Sequence, residues 1–424
     1  MPIPAEIATD IVDPKAYADD KRLHEAFRWL RHNMPVGRVE LPGYDPFLAI
    51  TRHADILNVE RQNDVFHNGD RPTTLTTQEA DQKVRGLTGG SPHLVYSLVQ
   101  MDNPDHFDHR KLTQAWFLPQ NIRKLEQGIR DLARQTVDKM AAMGGSCDFA
   151  RDIAFLYPLR VIMQILGVPP EDEPRMLKLT QELFGTADPE MNRLGATPLD
   201  SNEMLMGLVA TVQDFTNYFE AMTENRRAHP REDVASVIAN GQIKGEPLSH
   251  RAAMGYYTIV AAAGHDTTSN TTAGALWALA ENPKEFAKLK ADLSLVPSFV
   301  EESIRWVTPV KHFMRSATVD TEISGHPVAK DEWLMLCYPS GNRDETVFED
   351  PFSFKVDRTP NKQIAFGYGA HVCLGQHLAR MEMRILWEEL LPRLKAVELN
   401  GVPRLVEANF VSGPKSVPIR YVME

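Results

Sequence analysis

Apolar residues recur at helical spacing along much of the chain, whereas strand-like stretches are few and short. The clearest helical periods occupy residues 122–140, 202–227, 285–293 and 376–394. The strand-like stretches occupy residues 47–52, 333–340 and 417–422. This pattern predicts a mainly α protein with a small β portion.

One candidate helix is longer than the others and changes character along its length. It begins near Ser249, a suitable N-cap, and runs to about Glu281. Its first half is apolar all round and is expected to be buried. Asp266 and Thr267, in its polar second half, have two interpretations: satisfied polar groups in a kinked core helix, or a proton-delivery pair opening onto a cavity. Gly264, beside three alanines, is expected to let a flat group approach the helix closely.

Two polar stretches containing Gly and Pro interrupt the helices and are predicted to be irregular. They occupy residues 69–100 and 186–202. Loops of this length in a compact domain are often functional. No linker, repeat or low-complexity tract divides the chain, so residues 1–424 are expected to form a single domain.

The 424 residues carry a formal net charge of −11, which argues against a nucleic-acid-binding surface. The N-terminal residues show neither a basic segment nor an apolar run, and no apolar stretch is long enough to span a membrane. A cytoplasmic protein that is not attached to a membrane is therefore expected. The three cysteines are odd in number and far apart, which makes a disulfide framework improbable.

One of the cysteines, Cys373, lies in a glycine-rich loop at the start of a predicted helix. No second Cys or Cys/His pair stands at zinc-ligand spacing, and no Gly-Lys-Ser/Thr follows as in a P-loop. A nucleophile would need a base, for which only His371 and His377 are near in sequence. A lone metal ligand fits better, because Gly367 and Gly369 permit a tight turn and the helix N-terminus stabilises a thiolate.

The alternative for a cysteine is a buried structural role, which we assign to Cys147 and Cys337. For Cys373 the surrounding residues favour a ligand, because Gly375 lets backbone N–H groups face the sulfur. A single protein thiolate holds haem iron in oxygen-activating enzymes, where it favours O–O cleavage.

The loop around Cys373 resembles the haem-binding signature of cytochrome P450, F-x-x-G-x-x-x-C-x-G, and continues with the bacterial extension up to Arg380. The matching residues are Phe366, Gly369, Cys373 and Gly375. The sequence AGHDTT, from Ala263 to Thr268, is similar to the oxygen-activation motif of that family. The resemblance covers nearly the whole chain and is closest to the bacterial terpineol-hydroxylating P450 subfamily.

The resemblance implies the cytochrome P450 fold and a role for several other residues. Cys373 is then the axial thiolate of haem b, and Asp266 and Thr267 relay protons to dioxygen. The implied structural ion-pair cluster consists of Glu302, Arg305 and Arg358. The other residues implied to hold the haem are His106, Arg110, Arg315, Phe366, Gly367, His371 and Gly375.

The implied activity is NAD(P)H-linked monooxygenation of a small apolar molecule with O₂ by a monomer. No part of the sequence resembles a flavin or nicotinamide domain, so a separate 2Fe–2S ferredoxin and its NAD(P)H reductase are expected to supply the electrons. Such ferredoxins are acidic, and a locally basic docking face is expected from Arg110, Lys111, Arg380 and Arg384. Two other classes remain: a peroxygenase, which lacks the acid–alcohol pair present here, and a non-catalytic haem sensor or carrier.

The residues expected near the substrate are Leu98, Val260, Ala263, Val310 and Phe410. This apolar set offers no cation for a carboxylate, which disfavours a fatty acid. A monoterpenoid such as terpineol and an alkyl-substituted aromatic hydrocarbon both remain open. The hydroxyl of Tyr96 can either orient a polar group of the ligand or face solvent.

Overall fold

Helices make up most of the regular structure in the computed structural model, which describes residues 2–195 and 200–424. In chain order they are α1 (Ala5–Asp10), α2 (Asp20–Asn33), α3 (His53–Arg61), α4 (Gln78–Thr88), α5 (Asp105–Gln114), α6 (Pro119–Ile122), α7 (Glu126–Ala141), α8 (Leu156–Leu166), α9 (Glu173–Phe184), α10 (Ser201–Ala228), α11 (Val234–Ala239), α12 (His250–Ala263), α13 (Asp266–Glu281), α14 (Pro283–Ala291), α15 (Val296–Val307), α16 (Tyr338–Gly341) and α17 (Gln376–Arg393). Short 3₁₀ segments are Pro14–Ala18, Leu98–Gln100, Ala115–Phe117, Arg123–Leu125, Pro170–Asp172, Leu293–Leu295 and Gly369–His371, and a π-helical turn occupies Ala150–Ala154.

The strands are short and form small sheets. They are β1 (Val36–Val39), β2 (Phe47–Ile50), β3 (Phe66–His67), β4 (Ser146–Asp148), β5 (Gln242–Ile243), β6 (Glu246–Pro247), β7 (His312–Ala317), β8 (Thr321–Ile323), β9 (His326–Val328), β10 (Trp333–Cys337), β11 (Leu394–Leu399), β12 (Arg404–Leu405), β13 (Pro414–Ser416) and β14 (Pro418–Met423). Within the described ranges the largest sheet has the order β1–β2–β10–β7–β3, with β2 and β10 parallel and the other pairs antiparallel. A second sheet has the order β11–β14–β4, and three two-stranded pairs remain.

The predicted mainly α architecture is confirmed, and the strand-like stretches correspond to β2, β10 and β14. The two stretches predicted as irregular differ from each other. Residues 69–100 contain α4, because Thr77 accepts a hydrogen bond from a backbone N–H as an N-cap and Gly89 ends the helix in the left-handed region. The prediction for residues 186–202 lies partly outside the described residues, and the part that is described consists of turns up to the start of α10.

The long central helix is two helices rather than the single one predicted. The side chain of Ser249 caps α12 as expected, and α13 ends at Glu281 as expected. Between them Gly264 and His265 form a turn, in which the N–H of His265 donates to Ala262, three residues earlier, rather than four. Thr267 Oγ1 donates to the carbonyl of Ala263 at 2.8 Å, the contact that loosens a helix at a Thr residue.

Both helices run through the largest apolar cluster of the molecule, where they pack on α8, α10 and α15. This burial places the break between them inside the protein rather than at its surface. Within the described ranges, no helix combines the length and the apolar character that crossing a bilayer requires.

The predicted ion-pair cluster is present and fully buried. The Glu302 carboxylate accepts hydrogen bonds from Arg305 Nε at 2.7 Å and from Arg358 Nε at 2.9 Å. The backbone N–H of Lys355 and the amide of Asn361 add bonds of 3.0 and 3.2 Å. One carboxylate therefore joins α15 to the chain that leads into the Cys373 loop.

Replacing Glu302 with Ala should lower the free energy of unfolding by about 3–5 kcal/mol, because two buried guanidinium groups lose their counter-ion. Glu301 is a matched control, since it is the adjacent residue and pairs with Arg380 while partly exposed. Glu301→Ala should cost only about 0–1 kcal/mol. Urea unfolding of the two variants measures this difference, and equal losses would contradict the role assigned to Glu302.

Candidate active site

A cavity of about 620 Å³ lies between the break of the central helix and the Cys373 loop. Its wall includes residues from both, such as Ala263 and Thr267 from the helix and Phe366 and Cys373 from the loop. The predicted residues on this wall are Leu98, His106, Arg110, Val260, Ala263, Thr267, Val310, Arg315, Phe366, Gly367, His371, Cys373, Gly375 and Phe410. Of the predicted site residues, only Asp266 is absent from the described part of the wall.

The Cys373 loop takes its shape from two glycines in the left-handed region. Gly367 has a φ of +67° and Gly369 a φ of +69°. A Cβ on Gly369 would lie 2.2 Å from the carbonyl oxygen of Glu60, so this position also requires the absence of a side chain. The loop closes where the backbone N–H of Cys373 donates to the carbonyl of Phe366 at 2.9 Å, which brings the sulfur to the start of α17.

The groups around the Cys373 sulfur have opposing effects on the pKa of its thiol. Burial raises the pKa of the Cys373 thiol, whereas the backbone N–H groups of Gly375 and Gln376 and the charges of Arg110 and Arg380 favour the thiolate. The net shift of this pKa is upward. A coordinated metal cation deprotonates such a thiol. The site therefore suits coordination of the Cys373 sulfur to a metal cation held in the cavity.

The other two cysteines lack these features. Burial raises the pKa of Cys147 to about 12 and raises the pKa of Cys337 further. Neither belongs to the described wall of the cavity, and all three cysteines are free thiols. Their positions in β4 and at the end of β10 agree with the structural role predicted for them.

Two histidine rings contact each other, tilted by 36°, at the edge of the cavity. The rings of His106 and His371 have centroids 4.0 Å apart, and His106 Nε2 is buried without a hydrogen-bond partner. Burial, followed by the charges of Arg110 and His109, lowers the pKa of His106 to about 4. Burial, followed by the charges of Arg315, His106 and Arg110, lowers the pKa of His371 well below its usual value. The pair therefore lies in a positive potential and lacks an anionic partner among the described residues.

Two arginines complete this basic group. Arg110 Nη2 donates to the carbonyl of Val372 at 2.7 Å, and burial lowers the pKa of its guanidinium. Arg315 Nη1 donates to its neighbour Met314, and its Nη2 lies 3.8 Å from Glu60. Buried cations that exceed the nearby carboxylates fit an anionic ligand. The two propionates of haem meet this requirement, so the residues present fit the group.

On the helix side of the cavity, Gly264 has two neighbours to accommodate: α8 and the cavity itself. A Cβ on Gly264 would lie 2.7 Å from Ile162 Cγ1, so this glycine serves the packing of the helix against α8. Gly264 also lines the cavity beside Ala263, which is exposed although most of α12 is buried. A flat group could therefore approach the helix at these two residues, next to Thr267.

Asp266 lies behind the cavity wall rather than on it. The residue is 9% exposed, and its Oδ2 is buried without a hydrogen bond. The side chain of His265 approaches this oxygen, with its Nδ1 at 3.4 Å from Oδ2. His265 is completely buried and also contacts Thr180 Oγ1 at 2.7 Å and the carbonyl of Phe155 at 2.8 Å. Sequence reasoning did not assign His265 a role, although it stands inside the AGHDTT motif.

Glu382 is a second residue that sequence reasoning missed. It lies on α17, is almost fully buried, and lines the cavity. Its Oε2 has no partner, and burial raises the pKa of this carboxyl well above its usual value despite a hydrogen bond with Thr268. The available signal was a carboxylate between apolar residues on the buried face of a helix.

The predicted substrate contacts all line the cavity, but Tyr96 does not belong to its described wall. The guanidinium of Arg251 lies 5.2 Å from the centre of the Tyr96 ring. Arg251 also donates to the carbonyl of His93 at 2.7 Å. Tyr96 therefore helps to hold residues 91–96 against α12, and of the two interpretations the one without ligand contact agrees with the structure.

The predicted basic docking face is largely neutralised. Arg380 is bonded to Glu301, and Arg384 is bonded to Glu126 and Glu388. Arg110 lines the cavity instead. Lys111 remains exposed, and over the described residues it has no carboxylate within 4.0 Å. The pairs with Glu301 and Glu126 could not be inferred from the sequence, because these residues lie 79 and 258 positions from their partners, whereas Glu388 is one helical turn from Arg384.

Comparison with known proteins agrees with this geometry. The family model described as cytochrome P450 matches residues 73–419. The chain is 45% identical over 419 residues to cytochrome P450-terp of Pseudomonas sp, covering 99% of this chain and 98% of the relative. It is 33% identical over 413 residues to the steroid C26-monooxygenase of Mycolicibacterium smegmatis, covering 97% and 95%.

The solved structure of CYP108D1 from Novosphingobium aromaticivorans aligns with this chain at a TM-score of 0.91 and 44% sequence identity, covering 100% of both chains. The helix break, the cysteine loop and the basic group around one cavity are thus parts of a known architecture. The chain belongs to the cytochrome P450 family.

Proposed function

We propose that this cytochrome P450 monooxygenase hydroxylates a compact, mostly apolar molecule, either a monoterpenoid such as terpineol or an alkyl-substituted aromatic hydrocarbon. The reaction uses O₂ and electrons from a ferredoxin. One observation carries the proposal: a single cavity joins Cys373 to the apolar wall formed by α12. The proposal is for a cytoplasmic monomer in which residues 1–424 form one domain.

Haem b with an axial cysteine thiolate is the cofactor of the family. In this chain Cys373 would hold the iron, and His106, Arg110, Arg315 and His371 would hold the propionates. When bound, the haem supplies dioxygen activation, which an electron-rich thiolate favours. Phe366, Gly367 and Gly375 shape the loop that presents the sulfur.

Protons reach the cavity through the break in the central helix. Thr267 lies on the cavity wall, and its Oγ1 donates a hydrogen bond to the carbonyl of Ala263. Rotation of the hydroxyl would turn its proton from this carbonyl toward the cavity. Asp266 follows behind it and can replace the proton that Thr267 gives up.

The apolar part of the wall orients the substrate. Leu98, Val260, Ala263, Val310 and Phe410 exclude water from the space beside α12. The cations on the described wall, Arg110 and Arg315, belong to the proposed propionate site, so a substrate carboxylate would have no counter-ion of its own. The name of the relative P450-terp supports a terpenoid, whereas an all-apolar contact set also suits an alkyl aromatic.

A spectral titration tests the substrate class. Terpineol and an alkylbenzene should each convert the haem from low spin to high spin, with affinities in the micromolar range, about −7 to −8 kcal/mol. A steroid, which the name of one relative suggests, and a long-chain fatty acid serve as comparison ligands. The proposal fails if neither compact ligand shifts the Soret band while the steroid or the fatty acid does.

Electron transfer from the ferredoxin should depend on Lys111, an exposed cation that follows Arg110, one of the residues proposed to hold a propionate. Lys111→Glu should slow ferredoxin-driven reduction, and the wild-type rate should fall as salt rises. Lys284→Glu is the control, because Lys284 is also exposed but lies on α14, which contributes no residue to the described cavity wall. A rate that ignores both salt and the charge of residue 111 would contradict this docking face.

A further inference from the structure

Glu60, near the end of α3, is a buried residue of the cavity wall that takes no part in the proton path or the apolar substrate contacts. It is 5% exposed. Its Oε1 accepts a hydrogen bond from the hydroxyl of Tyr338 at 2.7 Å and lies 3.8 Å from Arg315 Nη2. Its Oε2 is buried and has no hydrogen-bond partner. A carboxyl group therefore stands beside a guanidinium that is proposed to hold a haem propionate.

The same residue touches the loop that presents Cys373. A Cβ on Gly367 would lie 3.0 Å from Glu60 Oε1, and a Cβ on Gly369 would lie 2.2 Å from the Glu60 carbonyl oxygen. Glu60 thus joins two parts of the haem site, the loop of the axial ligand and the arginine of the propionate site. A charge on this carboxyl group acts on both through a buried region, where electrostatic interactions are stronger than in water.

The ionisation of Glu60 is set by opposing effects. Burial raises the pKa of its carboxyl group to about 7, although the charge of Arg315, the hydroxyl of Tyr338 and the backbone N–H of Tyr368 favour the anion. A propionate held by Arg315 would add a second negative charge nearby and favour the neutral form further. Both forms of the carboxyl group are therefore accessible near neutral pH.

The other ionisable groups around Glu60 do not account for a charge change in this range. Arg315 and Tyr338 face it, and a guanidinium stays protonated in proteins while burial raises the pKa of Tyr338 well above its usual value. The elements packed on α3 are α16, the turn at Gly369–His371 and β8. Burial lowers the pKa of His371 well below its usual value, and Glu322 of β8 is exposed, where water and salt screen its charge.

We propose that Glu60 is a positioning residue that binds a proton when the haem iron is reduced and releases it when the iron is oxidised. One electron enters the iron from its reductant, and one proton from solvent forms the O–H bond of the carboxyl group. The neutral form leaves the charge of Arg315 to the propionates and stabilises the reduced iron, whereas the anion opposes reduction. The inference needs the haem of the family, but neither the substrate nor the ferredoxin of the proposed function.

The midpoint potential of the haem, measured by spectroelectrochemistry over a range of pH, tests this coupling. In the substrate-free wild-type protein the potential should fall as the pH rises past about 7, because the anion of Glu60 forms there. Glu60→Gln should keep the higher potential of acid pH throughout, since its amide does not ionise. Tyr338→Phe removes a donor to the anion, which should raise the pKa of Glu60 and move the fall in potential to higher pH. A merely structural role of Glu60 would not move this pH.

Asp55→Asn is the matched control on the same helix. Asp55 is also buried, with one oxygen bonded to the hydroxyl of Ser324 and the other without a partner, but it is not on the described cavity wall. Its variant should show the pH dependence of the wild type. The red-shifted Soret band of the reduced carbonyl complex verifies in each variant that a thiolate holds the iron.

Two results would overturn the role of Glu60: a wild-type potential that does not change with pH, and the wild-type pH dependence retained in Glu60→Gln. If Glu60→Gln fails to bind haem, Tyr338→Phe decides. A fall in potential at the same pH as in the wild type would then overturn the role, and a fall at higher pH would support it.

Discussion

Replacing Cys373 with His should abolish the strongly red-shifted Soret band of the reduced carbonyl complex. That band requires a thiolate ligand, and a neutral imidazole donates less electron density to iron. Cys373 lies at the N-terminus of α17 with backbone N–H groups facing its sulfur, and it is the only cysteine on the described cavity wall. Monooxygenation should be lost together with the band.

Cys147→Ser and Cys337→Ser are the controls for this experiment. Both thiols are away from the described cavity wall, so each variant should keep the red-shifted band. Cys337 is completely buried at the end of β10, and its replacement is expected to lower stability rather than change the spectrum. An unchanged band in Cys373→His would show that the ligand is another residue.

Replacing Thr267 with Ala should preserve NADH consumption but divert much of it to hydrogen peroxide. The hydroxyl of Thr267 is on the cavity wall next to Ala263, where it can pass a proton into the cavity. Asp266→Asn should slow turnover by roughly 100-fold, the low end of a general acid–base contribution. The amide keeps the shape of the carboxylate but cannot carry the proton onward.

Thr136→Ala is a matched control for the first of these variants. Thr136 lies on α7 and donates to the carbonyl of Leu132, four residues earlier, at 2.8 Å, as Thr267 does to Ala263. It is not part of the described cavity wall, so its removal should leave coupling as in the wild type. Unchanged coupling in Thr267→Ala together with an unchanged rate in Asp266→Asn would reject the proton path.

Features that depend on adjacent residues could be predicted from the sequence. The turn before Cys373 depends on glycines two residues apart, and the start of α12 depends on Ser249 and the residues just after it. Helical spacing located α10 to within a residue at each end. In each case the interactions involve residues close together in the chain, so the local sequence pattern predicts the structure.

Features that depend on residues far apart in the chain could not be predicted in this way. Glu301 and Glu126 neutralise Arg380 and Arg384, although each lies dozens of residues or more away from its partner. Residues of α4 line the cavity, although an irregular loop was predicted for this region. Net charge and local motifs contain no record of these pairings.

The sequence by itself determined the mainly α class, the glycine turn before Cys373 and the family to which the chain is similar, because each follows from short-range spacing. The tertiary structure alone decided that the central helix breaks at Gly264 and His265, that Asp266 lies behind the wall while Thr267 is on it, and that Asp81 is on the wall. The physical reason is that burial, desolvation and ion pairing depend on which distant segments pack together, and no local pattern contains that information.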